Sequence, residues 1–126
     1  MHREAPGHFL TKGESDAMTY LERSDRDGAV LSTPRLGVLV PPLSGRNTWF
    51  GHATWTPDNE GRKARAGALF DGALSPGDAR RTVRESRASF LLQGCDEGRA
   101  DVRDLLGPAV TAVRRFGCAR VYEVGG

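Results

Sequence analysis

The stretch GRNTWFGHATWTPD, Gly45 to Asp58, holds the residues of this chain whose types and spacing best suit ligand binding. It contains both tryptophans, within a span of seven residues, and one of the three histidines. Arg46 and His52 are polar groups beside an aromatic wall. We therefore predict a site for a small polar or sugar ligand held against a tryptophan face, with candidate residues Arg46, His52, Trp55 and Asp58.

The same stretch also fits a packed turn without a ligand. Trp49 and Phe50 fall in a predicted strand, Asn47 to Gly51, where successive side chains point to opposite faces and one of the two meets the core. Trp55 then packs over the start of the next helix, and His52 satisfies a backbone carbonyl. Both interpretations stay open at the level of the sequence.

The two cysteines follow predicted strands that are far apart in the chain. Cys95 comes after the strand Ser89 to Gln93, and Cys118 lies in the turn before the strand Ala119 to Val124. If these strands are neighbours, both sulfurs lie at the same end of the sheet. A disulfide closing about two dozen residues would contribute roughly 3 kcal/mol and needs an oxidising compartment. The alternative is two buried free thiols, which behave as small hydrophobic groups.

Other familiar chemistry is missing from the sequence. It contains neither a phosphate-binding loop nor a dinucleotide-binding fingerprint. His2, His8 and His52 are scattered, and two distant cysteines make no zinc site. We therefore predict no catalytic residue, no metal site and no cofactor.

One predicted helix, Pro76 to Ser86, is rich in arginine. Its acidic residues Asp78 and Glu85 partly balance that charge, so a solvated face is favoured over a phosphate or lipid site. Exposed aromatic side chains, which nucleic-acid-binding surfaces normally interleave with the basic ones, are absent here, and the net charge of +2 gives no strong push toward nucleic acid. We predict no nucleic-acid partner. The arginines concerned are Arg80, Arg81, Arg84 and Arg87.

Length and composition fit one soluble domain with a modest core. The chain has 126 residues, of which 38% are hydrophobic and 27% charged. Its longest apolar run, Leu36 to Leu43, is far shorter than the roughly 20 residues of a membrane helix. We expect a flexible leader over residues 1–10 and a single α/β domain over residues 11–126.

Local signals predict where the elements begin. Thr11 and Glu14 form a T-x-x-E capping box, which predicts a helix to about Arg23, and Ala29 to Ser32 is a short buried strand. A hydroxyl residue followed by proline is typical of a helix start. Three such pairs occur, at Thr33-Pro34, Thr56-Pro57 and Ser75-Pro76.

The first of these helices should end near Pro41, and the second should run to about Phe70 and carry Ala64, Ala68 and Leu69 as well. A later helix is predicted over Ala100 to Leu106. The strands Val110 to Arg115 and Ala119 to Val124 then close the chain. This order predicts an α/β fold: a small three-layer or two-layer sandwich with a mixed sheet of about five short strands, ending in an antiparallel hairpin.

Six pieces of the sequence carry a resemblance through their order and spacing. They are Gly28 to Leu31, Gly45 to Pro57, Ala68 to Gly72, Phe90 to Cys95, Ala100 to Pro108 and Phe116 to Val124. Together they resemble the C-terminal tail of multi-spanning bacterial membrane glycosyltransferases, the type C enzymes that use lipid-linked sugars, and their relatives, often actinobacterial. The resemblance runs from about Phe9 onward.

The resemblance implies an α/β domain on the extracytoplasmic face of the bacterial membrane, after the last membrane helix. Its partner would be the membrane-embedded portion of the same or a neighbouring polypeptide. A lipid-linked sugar or acceptor would be a further partner, and the domain would help to shape the site that binds it. Nothing in this sequence matches the loop that carries the catalytic carboxylate in such enzymes, so no activity is expected in isolation. Because that face is oxidising, the resemblance favours pairing of Cys95 with Cys118.

The alternative function is a free-standing α/β module that binds a small sugar or anion. Its ligand would lie at the tryptophan stretch, and its location would be cytoplasmic. The two functions differ in whether the chain acts as part of a membrane protein.

Overall fold

The computed structural model of the protein describes residues 10–50, 58–95 and 101–125. Within these ranges the chain alternates between helices and strands. In order they are α1 (Lys12–Arg23), β1 (Ala29–Ser32), a 3-10 helix (Pro34–Leu39), α2 (Val40–Ser44), α3 (Asn59–Asp71), α4 (Pro76–Ser86), β2 (Ala88–Gln93), α5 (Val102–Leu106), a second 3-10 helix (Gly107–Ala109), β3 (Val110–Phe116) and β4 (Ala119–Val124).

The strands of the described ranges form one mixed sheet in the order β1-β2-β4-β3. β1 runs parallel to β2, whereas β4 is antiparallel to both of its neighbours. The mixed sheet with a terminal antiparallel hairpin is thus confirmed. The predicted strand at Asn47 to Gly51 is wrong in its described part, because only Thr48 bridges to Val30 there. In the described ranges the sheet has four strands, close to the predicted number of about five.

Helices cover both faces of the sheet, so the sandwich has three layers. Leu91 of β2 lies opposite Tyr122 of β4, and both belong to a core shared with α3, α4 and α5. Their neighbours Leu92 and Val121 are also paired but point to the other face, where they pack with α1 and α2. This alternation follows from the two-residue period of a strand.

The predicted helix starts are confirmed where local capping fixes them. The Thr11 side chain accepts from the Glu14 backbone N–H and the Glu14 side chain binds the Thr11 backbone, which completes the capping box of α1. Ser75 accepts from the N–H of Asp78 at the start of α4. Thr33-Pro34 begins a 3-10 helix that continues into α2 and ends at Ser44, beyond the predicted Pro41.

Three apolar side chains form the inner face of α3. Ala66, Leu69 and Phe70 are buried, whereas Ala64 is exposed. Spacings of three and four residues bring the buried side chains to one side of a helix, and Ala64 lies on the opposite side from Ala66. The predicted start at Thr56-Pro57 lies outside the described residues.

Candidate functional site

The guanidinium of Arg46 binds three backbone carbonyls. Nε donates to Leu21 at 2.6 Å, Nη2 to Ser24 at 2.9 Å and Nη1 to Gly28 at 3.1 Å. Its central carbon also lies 4.6 Å from the centre of the Phe90 ring. The last carbonyls of a helix have no partner within that helix, so Arg46 satisfies the end of α1 and ties it to the start of β1. A contact between Arg46 and a ligand remains a prediction.

The other predicted ligand residues are only partly described. His52 and Trp55 fall within residues 51–57, outside the described ranges. Asp58 is exposed and precedes α3 with a φ of 50°, and its side chain makes no capping hydrogen bond. Its carboxylate lies over Gly61, where an added Cβ would come within 2.3 Å of a carboxylate oxygen. The pocket of Arg46, His52, Trp55 and Asp58 therefore remains a prediction.

Trp49 is held by two arginines of α3. Arg62 donates to its carbonyl oxygen at 3.0 Å, and the guanidinium carbons of Arg62 and Arg65 lie 5.2 and 5.5 Å from the centre of its ring. Trp49 and Phe50 belong to the same core cluster. The expectation that they point to opposite faces is wrong, because residues 47–50 do not form a regular strand.

Cys95 and Cys118 form a disulfide at one end of the sheet, with Cα atoms 5.1 Å apart. The pairing of β2 with β4 brings them together, so of the two alternatives that the sequence leaves open the structure has the disulfide. The Thr11 hydroxyl lies 3.3 Å from Cys95 Sγ, and the fully buried Glu14 carboxylate accepts from the backbone N–H groups of Thr11 at 3.0 Å and Cys95 at 2.7 Å. Arg35 pairs with the same carboxylate. These bonds compensate the cost of burying a charge.

A second polar network, which the sequence did not indicate, joins α1 to the terminal hairpin. The Tyr20 hydroxyl donates to Glu123, while Arg114 Nε donates to the Tyr20 oxygen at 2.7 Å and to Glu123 at 3.2 Å. The hydrogen bond from Tyr20 is the main cause that lowers the pKa of Glu123, and Arg114 lowers it further. Burial is the main cause that raises the pKa of Tyr20, and the Glu123 bond adds to it.

These shifts decide what the network can do chemically. A general acid or base works best when its pKa lies near the working pH. The pKa of Glu123 is lowered and that of Tyr20 is raised, so both lie further from pH 7 than their ordinary values. Glu123 is therefore ionised and Tyr20 uncharged at neutral pH. The Tyr20, Glu123 and Arg114 network therefore serves as a structural clamp between helix and hairpin.

A third network runs from the surface into the core on the other face of the sheet. Arg120 Nη1 donates to the Tyr122 hydroxyl at 3.3 Å, and that hydroxyl donates to Gln93 Oε1 at 2.9 Å. Tyr122 and Gln93 are both buried. Nearby, Arg103 binds Asp101 through Nε at 3.4 Å and Nη2 at 3.1 Å and lowers the pKa of that carboxyl.

Two further properties concern the described part of the chain. None of its helices is long and apolar enough to cross a membrane. Across the same residues, no three side chains of the types that bind metals come together. All three histidines lie outside these ranges.

No protein-family model and no curated protein sequence matches the chain. Among solved structures, it is similar to the C-terminal globular domain of an oligosaccharyltransferase from Archaeoglobus fulgidus, with a TM-score of 0.64 and 12% sequence identity. The similarity covers 93% of this chain and 99% of that one. At this identity the likeness concerns the fold: nearly the whole chain folds like the C-terminal globular domain of an oligosaccharyltransferase.

Proposed function

We propose that the chain is the accessory C-terminal domain of a glycosyltransferase-like membrane protein of the bacterial type C class. The fold likeness carries this proposal, because it extends over almost the full length of both chains and not over one motif. The six sequence pieces point to the same kind of protein independently of the fold.

The proposed location is the extracytoplasmic face of the membrane. The Cys95–Cys118 disulfide supports it, because disulfides persist in oxidising compartments and are rare in the cytosol. In this location the domain would pack against the membrane-embedded portion of the same or a neighbouring polypeptide.

The proposed role is to support the acceptor or sugar site without activity of its own. The three carboxylates in the described networks, Glu14, Asp101 and Glu123, are all occupied by structural partners. The catalytic carboxylate would come from the membrane part, together with the lipid-linked sugar and the acceptor.

Co-purification tests this proposal. The chain is expressed with an affinity tag in its native cell, and membranes are solubilised in a mild detergent. We expect a multi-spanning glycosyltransferase-like protein to purify with the tag, either bound to the chain or continuous with it. An exported domain of similar size with the same tag is the control. Purification of the chain without any membrane protein would contradict the proposal.

One observation favours a second function, a free-standing module that binds a small sugar or anion. Asp58 is an exposed, uncapped carboxylate at a positive φ, and non-glycine residues in that region cluster at functional sites. A thermal-shift screen with sugars and sugar phosphates tests it. A ligand-dependent rise in Tm that both Asp58→Ala and His52→Ala abolish would support this function, and the absence of any shift would remove it.

A further inference from the structure

Two arginines of the terminal hairpin lie directly opposite each other. Arg115 of β3 pairs with Arg120 of β4 in the register of the antiparallel ladder. The pairs on either side, Phe116 with Ala119 and Arg114 with Val121, belong to the face of the sheet that packs on α1. Because strand side chains alternate, Arg115 and Arg120 share the opposite face, next to Tyr122.

This arrangement is unfavourable for an isolated protein. Side chains directly opposite in an antiparallel pair have Cβ atoms about 4.5–5.5 Å apart, and like charges in such a pair destabilise the sheet. Within the described ranges, no carboxylate forms an ion pair with either arginine. Asp101 feels the charge of Arg120, but both of its oxygens bind Arg103.

The Arg120 side chain and the turn of the hairpin are nevertheless held in place. The buried Tyr122 hydroxyl accepts from Arg120 and is itself fixed by the buried Gln93, which limits where this guanidinium can point. Cys118 lies in the turn between the two arginines, and its disulfide to Cys95 fastens that turn to the end of β2. The ladder register places the two arginines side by side, and the contacts of Arg120 and of the turn reduce the freedom that a bound anion would have to restrict.

We propose that Arg115 and Arg120 form a binding site for a phosphate-bearing ligand. Guanidinium groups match phosphate oxygens in a two-bond geometry, and two adjacent positive charges without an ion-pair partner in the described ranges favour a dianion over a single carboxylate. The phosphate belongs either to a free ester or pyrophosphate or to an anionic lipid headgroup. The inference is drawn from the hairpin alone and does not rest on the proposed function.

The arginine-rich face of α4 is a poorer candidate. Arg81 pairs with Asp78 at 3.1 Å, and Glu85 on the same helix pairs with Arg65 at 2.7 Å. Acidic side chains are thus interleaved with the basic ones. Arg84 of this helix is exposed and provides a matched control position.

Calorimetric titration of the full chain with pyrophosphate at low salt tests the site. We expect saturable binding, and a Kd at least about ten-fold weaker in Arg115→Gln and in Arg120→Gln, as loss of a hydrogen bond to a charged group predicts. Arg84→Gln should bind like the wild type. Binding to vesicles of phosphatidylglycerol, with phosphatidylcholine vesicles as the control, separates a lipid headgroup from a free phosphate. Binding to either probe supports the site if it depends on both arginines.

The proposal is overturned if neither probe binds, or if Arg115→Gln and Arg120→Gln bind as the wild type does. A stability measurement excludes misfolding as the cause of lost binding. In phosphate-free buffer, Arg115→Glu replaces a like-charge pair by an opposite-charge pair, so its Tm should rise. Pyrophosphate should then raise the Tm of the wild type but not that of Arg115→Glu. A lower Tm for Arg115→Glu in phosphate-free buffer would contradict the unfavourable pairing on which the site depends.

Discussion

Arg46 joins three parts of the chain that meet at one end of α1. Its hydrogen bonds reach the last turn of that helix, the following cap residue and the loop before β1. These carbonyls have no helical partner of their own, so the guanidinium replaces water at a partly buried position. Arg46 therefore stabilises the fold through its contacts with backbone carbonyls. In this it differs from an arginine whose guanidinium is free to bind a ligand.

The first prediction concerns Arg46→Ala. Removing the guanidinium leaves three carbonyl groups with fewer partners, and we expect the free energy of unfolding to fall by about 2–4 kcal/mol. Urea denaturation at pH 7 measures it. Arg84→Ala, a change of the same type at an exposed helix position, should stay within about 0.5 kcal/mol of the wild type. Equal effects of the two changes would show that Arg46 is not structural.

The second prediction concerns pH and Tyr20→Phe. Because the folded pKa of Glu123 lies below its unfolded value, the stability it contributes is present above about pH 4.3 and is lost as the pH falls through the folded pKa. Tyr20 is the main cause of that shift, so the advantage of the wild type over Tyr20→Phe should be largest near neutrality and shrink in acid. Urea denaturation from pH 7 to pH 3 measures this, and a difference independent of pH would contradict it.

The stability at alkaline pH gives an internal control for the same variant. The pKa of Tyr20 is raised by burial, so its contribution is present below about pH 10 and is lost as the pH rises through the folded pKa. Tyr20→Phe lacks this hydroxyl and should show no such loss. Parallel stability curves above pH 10 would contradict the raised pKa of Tyr20.

At the scale of elements, the disulfide fixes the hairpin to the end of β2. It closes a loop with a sequence separation of 23, for which chain entropy predicts about 3 kcal/mol. We expect dithiothreitol to lower the urea midpoint of the wild type by a corresponding amount. The double variant Cys95→Ser, Cys118→Ser should match the reduced wild type and not respond to dithiothreitol. A reductant-insensitive wild type would show that the bridge is absent in solution.

At the end of α4 we predict a substitution that increases the stability of the protein. Arg87 caps this helix with a φ of 56°, a left-handed conformation that costs non-glycine residues about 1–2 kcal/mol. Arg87→Gly should therefore raise the free energy of unfolding by about 0.5–1 kcal/mol after the larger entropy of unfolded glycine is counted. Arg80→Gly, in the middle of the same helix, should lower it by about 1 kcal/mol. Urea denaturation of both variants decides between these signs.

Local elements could be predicted from the sequence because their causes are local. The capping box at Thr11 and Glu14 and the cap at Ser75 each act within one turn. The strand prediction for residues 47–50 is wrong because the contacts of Asn47 and Thr48 depend on β1, which the local pattern does not encode.

The contacts between elements could not be predicted, because they require the register of the sheet. Arg115 faces Arg120 only in the observed hairpin pairing, and Tyr20 meets Glu123 only when α1 is placed on the sheet. The disulfide could be predicted only in part. Its two strands could be located from the sequence, but their pairing was open until the sheet order was known.

At the scale of the whole molecule, the likeness to a solved structure concerns the fold and supports the proposed accessory domain. Helices cover both faces of a four-stranded mixed sheet in the described ranges, and nearly the full chain matches a globular C-terminal domain of an oligosaccharyltransferase. The fold provides a rigid platform with the hairpin fixed at one end. In the proposed accessory role the domain would position a neighbouring site, and a rigid platform suits that role.

Protease accessibility in native cells tests the accessory-domain proposal most directly. Spheroplasts are treated with a protease that cannot cross the membrane, and an antibody raised against this chain then follows the antigen in membrane and cytosolic fractions. We predict an antigen in the membrane fraction, bound to or continuous with a larger polypeptide, that the external protease removes. A protected antigen of 13.6 kDa in the cytosolic fraction would contradict the proposal.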